Sequence, residues 1–393
     1  MRFAKRVMEL EEEGAYAVLA RAQALEAQGR DIIHLEIGKP DFHTFPHIAL
    51  AGIKAIATGQ TRYNPSAGLP ALRQAIAVEA GSRRGLEIRP EQVVVGPGAK
   101  PGLFFPTMAL IQPGDEVIYP DPGFPTYAAM IQVAGGTPRP VSMIEENSFS
   151  FDLNAFDKLL NQRTRLIIIN SPGNPTGGVI PQADLEHIAS KAREYDCWVM
   201  SDEIYARLAY DNLAVPSIAS LPDMLGRTVI VDGFSKTYAM TGWRLGYAIM
   251  PETLAERVSL LLTHSVGCTA TFTQIAGIEA LMASQVMAEA VVPEYQRRRD
   301  RMVEGLNAIP GVRCQTPQGA FYVFPNIKTF GLPARQLARR FLDEAGVAVL
   351  PGNDFGINGE GYLRLCYATS MEKIDEALSR VGRMLAGIRM AKG

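Results

Sequence analysis

The chain has 393 residues, of which 47% are hydrophobic and 20% are charged, and its formal net charge at pH 7 is −2. This length predicts more than one domain, and the balanced charge without a basic tail argues against nucleic acid and anionic membranes as partners. No apolar run reaches the roughly 18 residues of a membrane span, and the charged N-terminus lacks the apolar core of a signal peptide. The four cysteines lie far apart without a CxxC pattern, which predicts reduced thiols, a cytoplasmic location and no metal site.

Short apolar runs alternate with amphipathic stretches along most of the chain, after a first predicted helix at Ala15–Gln28. The predicted strands are Val93–Val95, Glu116–Tyr119, Leu166–Ile169, Trp198–Met200, Val229–Val231 and Leu245–Ile249. The helices predicted among them include Pro70–Ala80, Pro125–Gln132, Ala183–Glu194 and Ala255–Leu262. Strands that are apolar throughout and alternate with helices are typical of a mostly parallel, doubly wound α/β sheet.

The pattern changes after a long helical region that runs from Gln274 to about Asn307. The strands predicted there are Val312–Thr316, Ala320–Phe324 and Tyr362–Leu365, and the helices are Pro333–Glu344 and Met371–Met384. This arrangement predicts a smaller α+β domain at the C-terminus. We therefore expect an N-terminal arm at 1–45, a large domain at 46–285 and a small domain at 286–393.

One segment, from Val229 to Met250, combines two apolar strands with two charged residues. Lys236 follows the first strand through a Gly/Ser turn, and Arg244 precedes the second. Burial and a neighbouring cation both disfavour the ammonium form of a lysine. A lysine with a lowered pKa forms Schiff bases with aldehydes, including pyridoxal phosphate, and a guanidinium suits a phosphate. This segment therefore predicts a site that holds both ends of one cofactor.

The motif itself is Ser235-Lys236, followed by Met240-Thr-Gly-Trp-Arg244-Leu-Gly-Tyr247. It resembles the Schiff-base motif of the class I/II aminotransferases, which are pyridoxal-5′-phosphate enzymes of the aspartate-aminotransferase fold (fold type I). The resemblance extends from about Gly14 to about Leu385. It implies a large domain with a seven-stranded type of sheet, and an N-terminal arm that packs with the C-terminal domain.

Other candidate cofactor residues follow predicted strands, at the edge where parallel sheets bind ligands. Gly98, Ala99 and Lys100 form a glycine turn into a helix, whose free N–H groups suit a phosphate. Asp202 would pair with the pyridine nitrogen and keep the ring cationic, unless it only caps a following helix. Tyr205, three residues on, would share a helical face with Asp202 and donate to the phenolate oxygen of the cofactor.

Two further loops complete the expected cofactor site. Asn174 lies in a loop made rigid by two prolines and two glycines, and it matches the asparagine motif of the family, where it donates to the phenolate oxygen. Phe124 is the first choice for an aromatic ring that stacks on the pyridine, and Tyr127 is the second. The resemblance also implies that Tyr63 reaches the cofactor phosphate of a partner subunit, and hence that the active unit is a homodimer with shared active sites.

Substrate binding is expected at a buried arginine. Arg364 lies within an apolar predicted strand and needs either an internal salt bridge or a substrate carboxylate as its partner. The resemblance favours the α-carboxylate of the substrate, with Asn174 and the backbone of Gly38 beside it. Lys100 matches a lysine that meets the distal carboxylate of the substrate in some aspartate aminotransferases.

Two features depart from the pattern of those aspartate enzymes. Their hydroxyl residues near the first helix are replaced here by Glu13, Gly14 and Ala15. Lys39 stands where an acidic or other polar residue is common, and it either adds positive charge at the mouth of the pocket or is simply solvated. Both features argue against strict specificity for aspartate.

The residues and the resemblance together predict transfer of an amino group from an α-amino acid to a 2-oxo acid, with aspartate, glutamate or 2-oxoglutarate favoured as one partner. The same residues also suit a lyase or a biosynthetic enzyme on this scaffold, because the reaction depends on which α-carbon bond breaks. A ligand-sensing regulator would need an added DNA-binding module, for which the chain has no spare residues. A nicotinamide dehydrogenase would need a G-x-G-x-x-G turn after the first strand, which is absent.

Overall fold

A computed structural model describes residues 3–8, 10 and 13–390. The α-helices are α1 (Lys5–Met8), α2 (Gly14–Glu26), α3 (Pro46–Ala57), α4 (Pro70–Arg84), α5 (Lys100–Leu110), α6 (Thr126–Ala134), α7 (Leu153–Leu159), α8 (Gln182–Glu194), α9 (Glu252–Thr263), α10 (Thr271–Met282), α11 (Val286–Asn307), α12 (Ala334–Arg340) and α13 (Met371–Met390). The strands are β1 (Ile33–His34), β2 (Val93–Gly96), β3 (Glu116–Asp121), β4 (Thr137–Ile144), β5 (Ser150–Phe151), β6 (Thr164–Asn170), β7 (Trp198–Asp202), β8 (Thr228–Gly233), β9 (Gly246–Ile249), β10 (Tyr322–Val323), β11 (Val347–Ala348), β12 (Leu350–Pro351) and β13 (Leu363–Cys366).

The main sheet has eight strands in the order β2-β9-β8-β7-β6-β3-β4-β5. The run from β8 to β4 is parallel throughout, whereas β9 pairs antiparallel with both of its neighbours. The predicted mostly parallel, doubly wound sheet is therefore confirmed. The sheet has eight strands where the resemblance implied seven, because the two-residue strand β5 pairs antiparallel with the edge strand β4.

The central strands are apolar on both faces because helices cover both sides of the sheet. On β6, Leu166 and Ile168 pack into a core cluster that also contains Leu103 of α5. The alternate residues Ile167 and Ile169 pack into a second cluster, with residues of α7 and α8. Successive side chains of a strand point to opposite faces, so a strand buried on both sides is apolar at every position.

The C-terminal part contains a three-stranded antiparallel sheet in the order β10-β13-β12. The strand predicted at Val312–Thr316 is wrong, since Arg313 forms only an isolated bridge with Asn326. The side chain of Asn307 binds both the N–H and the carbonyl of Cys314, which removes these groups from strand pairing. The predicted helix Pro333–Glu344 is α12 followed by a π-helical turn over Phe341–Ala345.

The N-terminal arm lies against the C-terminal part of the chain. Strand β1 pairs in parallel with β11, and α2 packs near β11 and β12. Arg21 of α2 forms an ion pair of 2.8 Å with Asp343. The expected packing of the arm with the C-terminal part is therefore observed, whereas the domain boundaries stay a prediction.

The long helical region predicted from Gln274 to Asn307 consists of two helices, α10 and α11. At the break between them, the side-chain amide of Gln285 donates to the carbonyls of Ala280 and Ala283. Among the described residues, no single helix is long and apolar enough to cross a membrane. Taken together, α10 and α11 pass that test by length and composition, but they are bent by 78° and each buries residues in the core.

Candidate active site

A cavity of about 520 Å³ lies at the edge of the main sheet where β6 and β7 end. Most of the residues predicted for the site line it, namely Gly38, Ala99, Lys100, Phe124, Asn174, Asp202, Tyr205, Ser235, Lys236, Arg244 and Arg364. Of the other two, Gly98 adjoins Ala99 and contacts Arg244, whereas Tyr63 is 97% exposed on the surface. Parallel strands bring their carboxyl ends to one edge, which explains why residues distant in sequence meet there.

Lys236 extends from the turn after β8 into this cavity. Its Nζ donates a hydrogen bond of 2.7 Å to the carbonyl of Gly38, and it lies over the rings of Tyr205 and Phe321. Burial lowers the pKa of Lys236 to about 8, and the cation of Arg364 adds to this effect. The amine is therefore much closer to its neutral, nucleophilic form at physiological pH than an ordinary lysine.

Asp202 is buried at the end of β7. Tyr127 donates its hydroxyl proton to Asp202 Oδ2 at 2.8 Å, and the N–H of Ile204 donates to Oδ1 at 3.3 Å. Burial raises the pKa of Asp202 to about 6, while the hydrogen bond from Tyr127 opposes that rise. The carboxylate is thus held in one orientation with few groups to balance its charge, which suits a cationic ligand atom.

No helix follows Asp202, so the alternative that it caps a helix is wrong. Residues 204–207 form turns, in which the N–H of Ala206 donates to the carbonyl of Glu203 and the N–H of Leu208 donates to that of Tyr205. The expectation that Tyr205 shares a helical face with Asp202 is wrong for the same reason. Tyr205 nevertheless lines the cavity, through the turn rather than through a helix.

The hydroxyl of Tyr205 forms a hydrogen bond of 2.8 Å with the hydroxyl of Tyr322. Burial raises the pKa of Tyr205 well above its usual value, so the phenol is a proton donor at neutral pH. Nothing in the sequence distinguishes Tyr322, because an aromatic residue in a short apolar strand is typical of a core position. Its hydroxyl also lies so close to Gly38 that a Cβ at that position would clash with it.

The two aromatic candidates for stacking differ in their surroundings. Tyr127 is fully buried, and its hydroxyl is committed to Asp202. Phe124 is partly exposed and lines the cavity, with Lys100 Nζ 5.2 Å from the centre of its ring. Phe124 is therefore the ring available to a ligand, whereas Tyr127 acts on the orientation of Asp202. The sequence offered no signal for this second role.

Arg364 is buried on β13, and its guanidinium carbon lies 4.6 Å from the ring centre of Tyr322 and 5.0 Å from that of Phe355. Its Nη1 donates to Asn174 Oδ1 at 3.2 Å, and its Nη2 donates to the carbonyl of Glu36. Nε has no hydrogen-bond partner. Within the part of the chain that the structure describes, Arg364 has neutral acceptors and no salt bridge, so its charge is available to an anion.

The glycine turn before α5 meets Arg244. Gly98 has a φ of 94°, and a Cβ there would clash with the Arg244 guanidinium, so a glycine lets the two groups approach. Arg244 donates from Nη1 to the carbonyl of Thr241 at 2.8 Å and from Nη2 to that of Pro97 at 3.3 Å. A guanidinium beside the N-terminus of α5 forms a corner suited to a phosphate.

Lys100 is the first residue of α5, and its Nζ forms an ion pair with Glu13 at the other side of the cavity mouth. Thr126 donates its hydroxyl proton to the same oxygen of Glu13 at 3.3 Å. By sequence, Glu13 is only a departure from the pattern of the aspartate enzymes. Its pairing with Lys100 could not be recognised there, because the two residues are 87 positions apart.

No group of three or more His, Cys, Asp or Glu side chains within the described ranges is arranged to hold a metal ion. The polar groups around the cavity are instead an amine, a carboxylate, phenols and guanidinium groups. This set matches an organic ligand that carries an aldehyde, a basic ring nitrogen and a phosphate.

Comparison with known proteins agrees with this chemistry. The sequence profile of the family described as aminotransferase class I and II matches residues 30–381. An aspartate aminotransferase of Pyrococcus abyssi is 42% identical over 359 residues, which are 91% of this chain and 92% of that protein. An aromatic-amino-acid aminotransferase 2 of Thermococcus litoralis is 40% identical over 363 residues, which are 91% of this chain and 93% of that protein.

A solved structure of the Thermus thermophilus aspartate aminotransferase with maleate is similar over 98% of this chain and 100% of that one, with a TM-score of 0.93 and 38% identity. The similarity therefore covers the whole fold as well as the motif around Lys236. The chain belongs to the class I and II aminotransferases, enzymes that transfer amino groups between amino acids and 2-oxo acids with the help of pyridoxal phosphate.

Proposed function

We propose that this chain binds pyridoxal 5′-phosphate through Lys236 and uses it to transfer the amino group of an α-amino acid to a 2-oxo acid. The observation that carries the proposal is a lysine whose pKa burial lowers to about 8, in the same cavity as the buried carboxylate of Asp202. The buried Arg364 at the same cavity has an Nε without a hydrogen-bond partner, which suits an anionic group of the substrate.

The residues around the cavity fit each part of this cofactor. Lys236 Nζ is the amine for its aldehyde carbon, and Asp202 is the carboxylate for its ring nitrogen.

The phosphate of the cofactor is matched by the guanidinium of Arg244, by Ser235 and by the turn through Gly98 and Ala99. Tyr63 of the partner subunit is a further donor to it. Asn174 and Tyr205 supply donors for its phenolate oxygen, and Phe124 supplies the stacking ring.

When bound, pyridoxal phosphate supplies an electron sink for the electrons that remain on the α-carbon of the substrate after its proton leaves. Lys236 Nζ takes that proton as a general base and returns it as a general acid. Asp202 holds the proton on the ring nitrogen by electrostatic attraction. Arg364 binds the α-carboxylate of the substrate, beside Asn174 and Gly38, and orients the bond that breaks.

We propose that one of the two substrates is acidic, such as aspartate, glutamate or 2-oxoglutarate, and that Lys100 binds its distal carboxylate. Lys100 Nζ lies beside Phe124 at the mouth of the cavity, on a side chain that is 49% exposed and forms an ion pair with Glu13. Relatives named as aspartate aminotransferases support this proposal, and the T. thermophilus structure contains maleate, a dicarboxylate.

We also propose that the active unit is a cytoplasmic homodimer with shared active sites. Tyr63 is 97% exposed, and helix α3 presents Leu50 and Ile53, which are 63% and 61% exposed, on one face. Exposed apolar side chains on one helical face are typical of a protein interface. All four cysteines are free thiols, which supports a reducing compartment.

Cofactor attachment gives the first prediction. Borohydride reduction of the purified yellow protein, followed by peptide mapping, will place a pyridoxyl group on Lys236, because its amine is buried and has a lowered pKa. Lys236→Ala will lose both the label and the visible absorbance, whereas Lys39→Ala, which removes an amine at the same cavity, will keep them. A label on Lys100 or Lys39 in the unmodified protein would contradict the assignment.

Subunit sharing gives the second prediction. Tyr63→Ala and Lys236→Ala homodimers will both be strongly impaired, but mixed dimers will recover activity, because one of their two sites contains both native residues. The measurement is the activity of mixed dimers isolated with two different affinity tags. Tyr16→Ala, which removes an exposed tyrosine of the cavity within the same chain, is the control, and its mixed dimers with Lys236→Ala will have no more than about half the activity of Tyr16→Ala homodimers. Absence of recovery in verified mixed dimers would show that each subunit completes its own site.

Acidic specificity gives the third prediction. Lys100→Ala will lower kcat/KM for aspartate, glutamate or 2-oxoglutarate by roughly 10- to 150-fold, since a charge-assisted hydrogen bond contributes about 1.5–3 kcal/mol. The loss for alanine or phenylalanine will be much smaller. An equal loss for acidic and neutral substrates would show that Lys100 serves the cofactor or the fold instead.

A further inference from the structure

The carboxylate of Glu13 occupies Lys100, the same cation that is proposed to bind the distal carboxylate of an acidic substrate. Its carboxylate pairs with Lys100 Nζ, and the same oxygen accepts a hydrogen bond of 3.3 Å from Thr126. All three side chains belong to different parts of the chain, since Glu13 precedes α2 whereas Lys100 and Thr126 begin α5 and α6. Glu13 and Lys100 both line the cavity.

The backbone around Glu13 is held in place by its neighbour. A Cβ at Gly14 would clash with Asp354, so the start of α2 packs directly against the loop that carries this aspartate. Asp354 is in turn bound to Arg335 at 2.9 Å. Glu13 does not cap its own helix, although it occupies the N-cap position. Its side chain is turned toward the cavity instead.

The Glu13–Lys100 pair is exchangeable. The two side chains are 27% and 49% exposed, and ion pairs with this much contact with water are weak. The distal carboxylate of an acidic substrate offers Lys100 the same chemistry as Glu13 does. A neutral or aromatic side chain offers none, and an unpaired ammonium group facing it would be unfavourable.

We propose that Glu13 is a specificity-determining residue that competes with the distal carboxylate of acidic substrates for Lys100. This inference rests on the acidic-substrate role of Lys100 proposed above. With a neutral or aromatic substrate, Glu13 stays paired with Lys100 and neutralises it. With a dicarboxylic substrate, the distal carboxylate displaces Glu13. One cavity thereby accepts both substrate classes, at the expense of affinity for the acidic one.

The test is ligand binding to the purified holoenzyme by titration calorimetry. Succinate is the dicarboxylate, and 3-phenylpropanoate is a monocarboxylate with an uncharged aromatic side chain. Glu13→Gln keeps the shape and hydrogen-bonding capacity of the side chain but removes its charge. It will lower the dissociation constant for succinate about three- to fivefold, while that for 3-phenylpropanoate changes less than about twofold. Glu256→Gln removes an equal charge from an exposed position on α9 and will change neither constant.

The same titrations in Lys100→Met and in the Lys100→Met/Glu13→Gln double variant separate the two proposals. The gain in succinate affinity from Glu13→Gln will disappear when Lys100 is absent, because there is no cation left to compete for. Unchanged or weaker succinate binding by Glu13→Gln, beside a selective loss in Lys100→Met, would overturn the competition alone. An equal loss of both ligands in Lys100→Met would overturn the acidic-substrate role of Lys100, and the competition with it.

Discussion

The burial of two oppositely charged groups at one edge of a parallel sheet is the constraint on which the site depends. Burial moves the pKa of Lys236 down to about 8 and that of Asp202 up to about 6, so each is pushed toward its neutral form. Both residues therefore need close polar neighbours, which are the carbonyl of Gly38 for the amine and the hydroxyl of Tyr127 for the carboxylate. A cofactor with an aldehyde and a basic ring nitrogen matches both groups.

The N-terminal arm contributes to the cavity at this edge of the sheet, together with the loops that follow the strands. The carbonyls of Gly38 and Glu36 accept hydrogen bonds from Lys236 and Arg364, and Glu13 reaches Lys100. These contacts connect the N-terminal arm to Lys236, which is proposed to be the catalytic amine, and to Arg364, which is proposed to bind the substrate α-carboxylate. Displacement of the arm would expose both cations to water and raise the dielectric around them, so the arm helps to keep the pKa of Lys236 low.

The sequence predicted six of the eight strands of the main sheet, because each of them contains a run of buried apolar residues, but it missed β5 and also β4, in which prolines and polar residues interrupt the apolar ones. It also identified residues that meet at the cavity, since they follow those strands or stand in a motif shared with a known family. It predicted poorly where tertiary contacts decide the outcome. The strand expected at Val312–Thr316 does not form, because Asn307 binds the backbone of Cys314. No helix follows Asp202, because the backbone there closes tight turns, with hydrogen bonds from Ala206 to Glu203 and from Leu208 to Tyr205.

The roles of Tyr127, Tyr322 and Glu13 were also beyond reach of the sequence. Each depends on the direction of one side chain relative to an element distant along the chain, and hydrophobic periodicity does not report such directions. Tyr127 in particular is typical of a core residue by pattern and by burial, yet its hydroxyl is the donor that orients Asp202. The residues that support the reacting groups are thus less visible in a sequence than the reacting groups themselves.

The most direct test of the central claim compares Asp202→Asn with the unmodified enzyme in two measurements. One is the single-turnover rate at which the α-proton of an amino acid is removed, and the other is the affinity for the cofactor. In this account, the buried carboxylate acts on the ring nitrogen of the cofactor, whereas the phosphate contributes much of the binding. The account predicts that proton removal slows by orders of magnitude while cofactor affinity falls far less. An unchanged rate of proton removal in Asp202→Asn would contradict it.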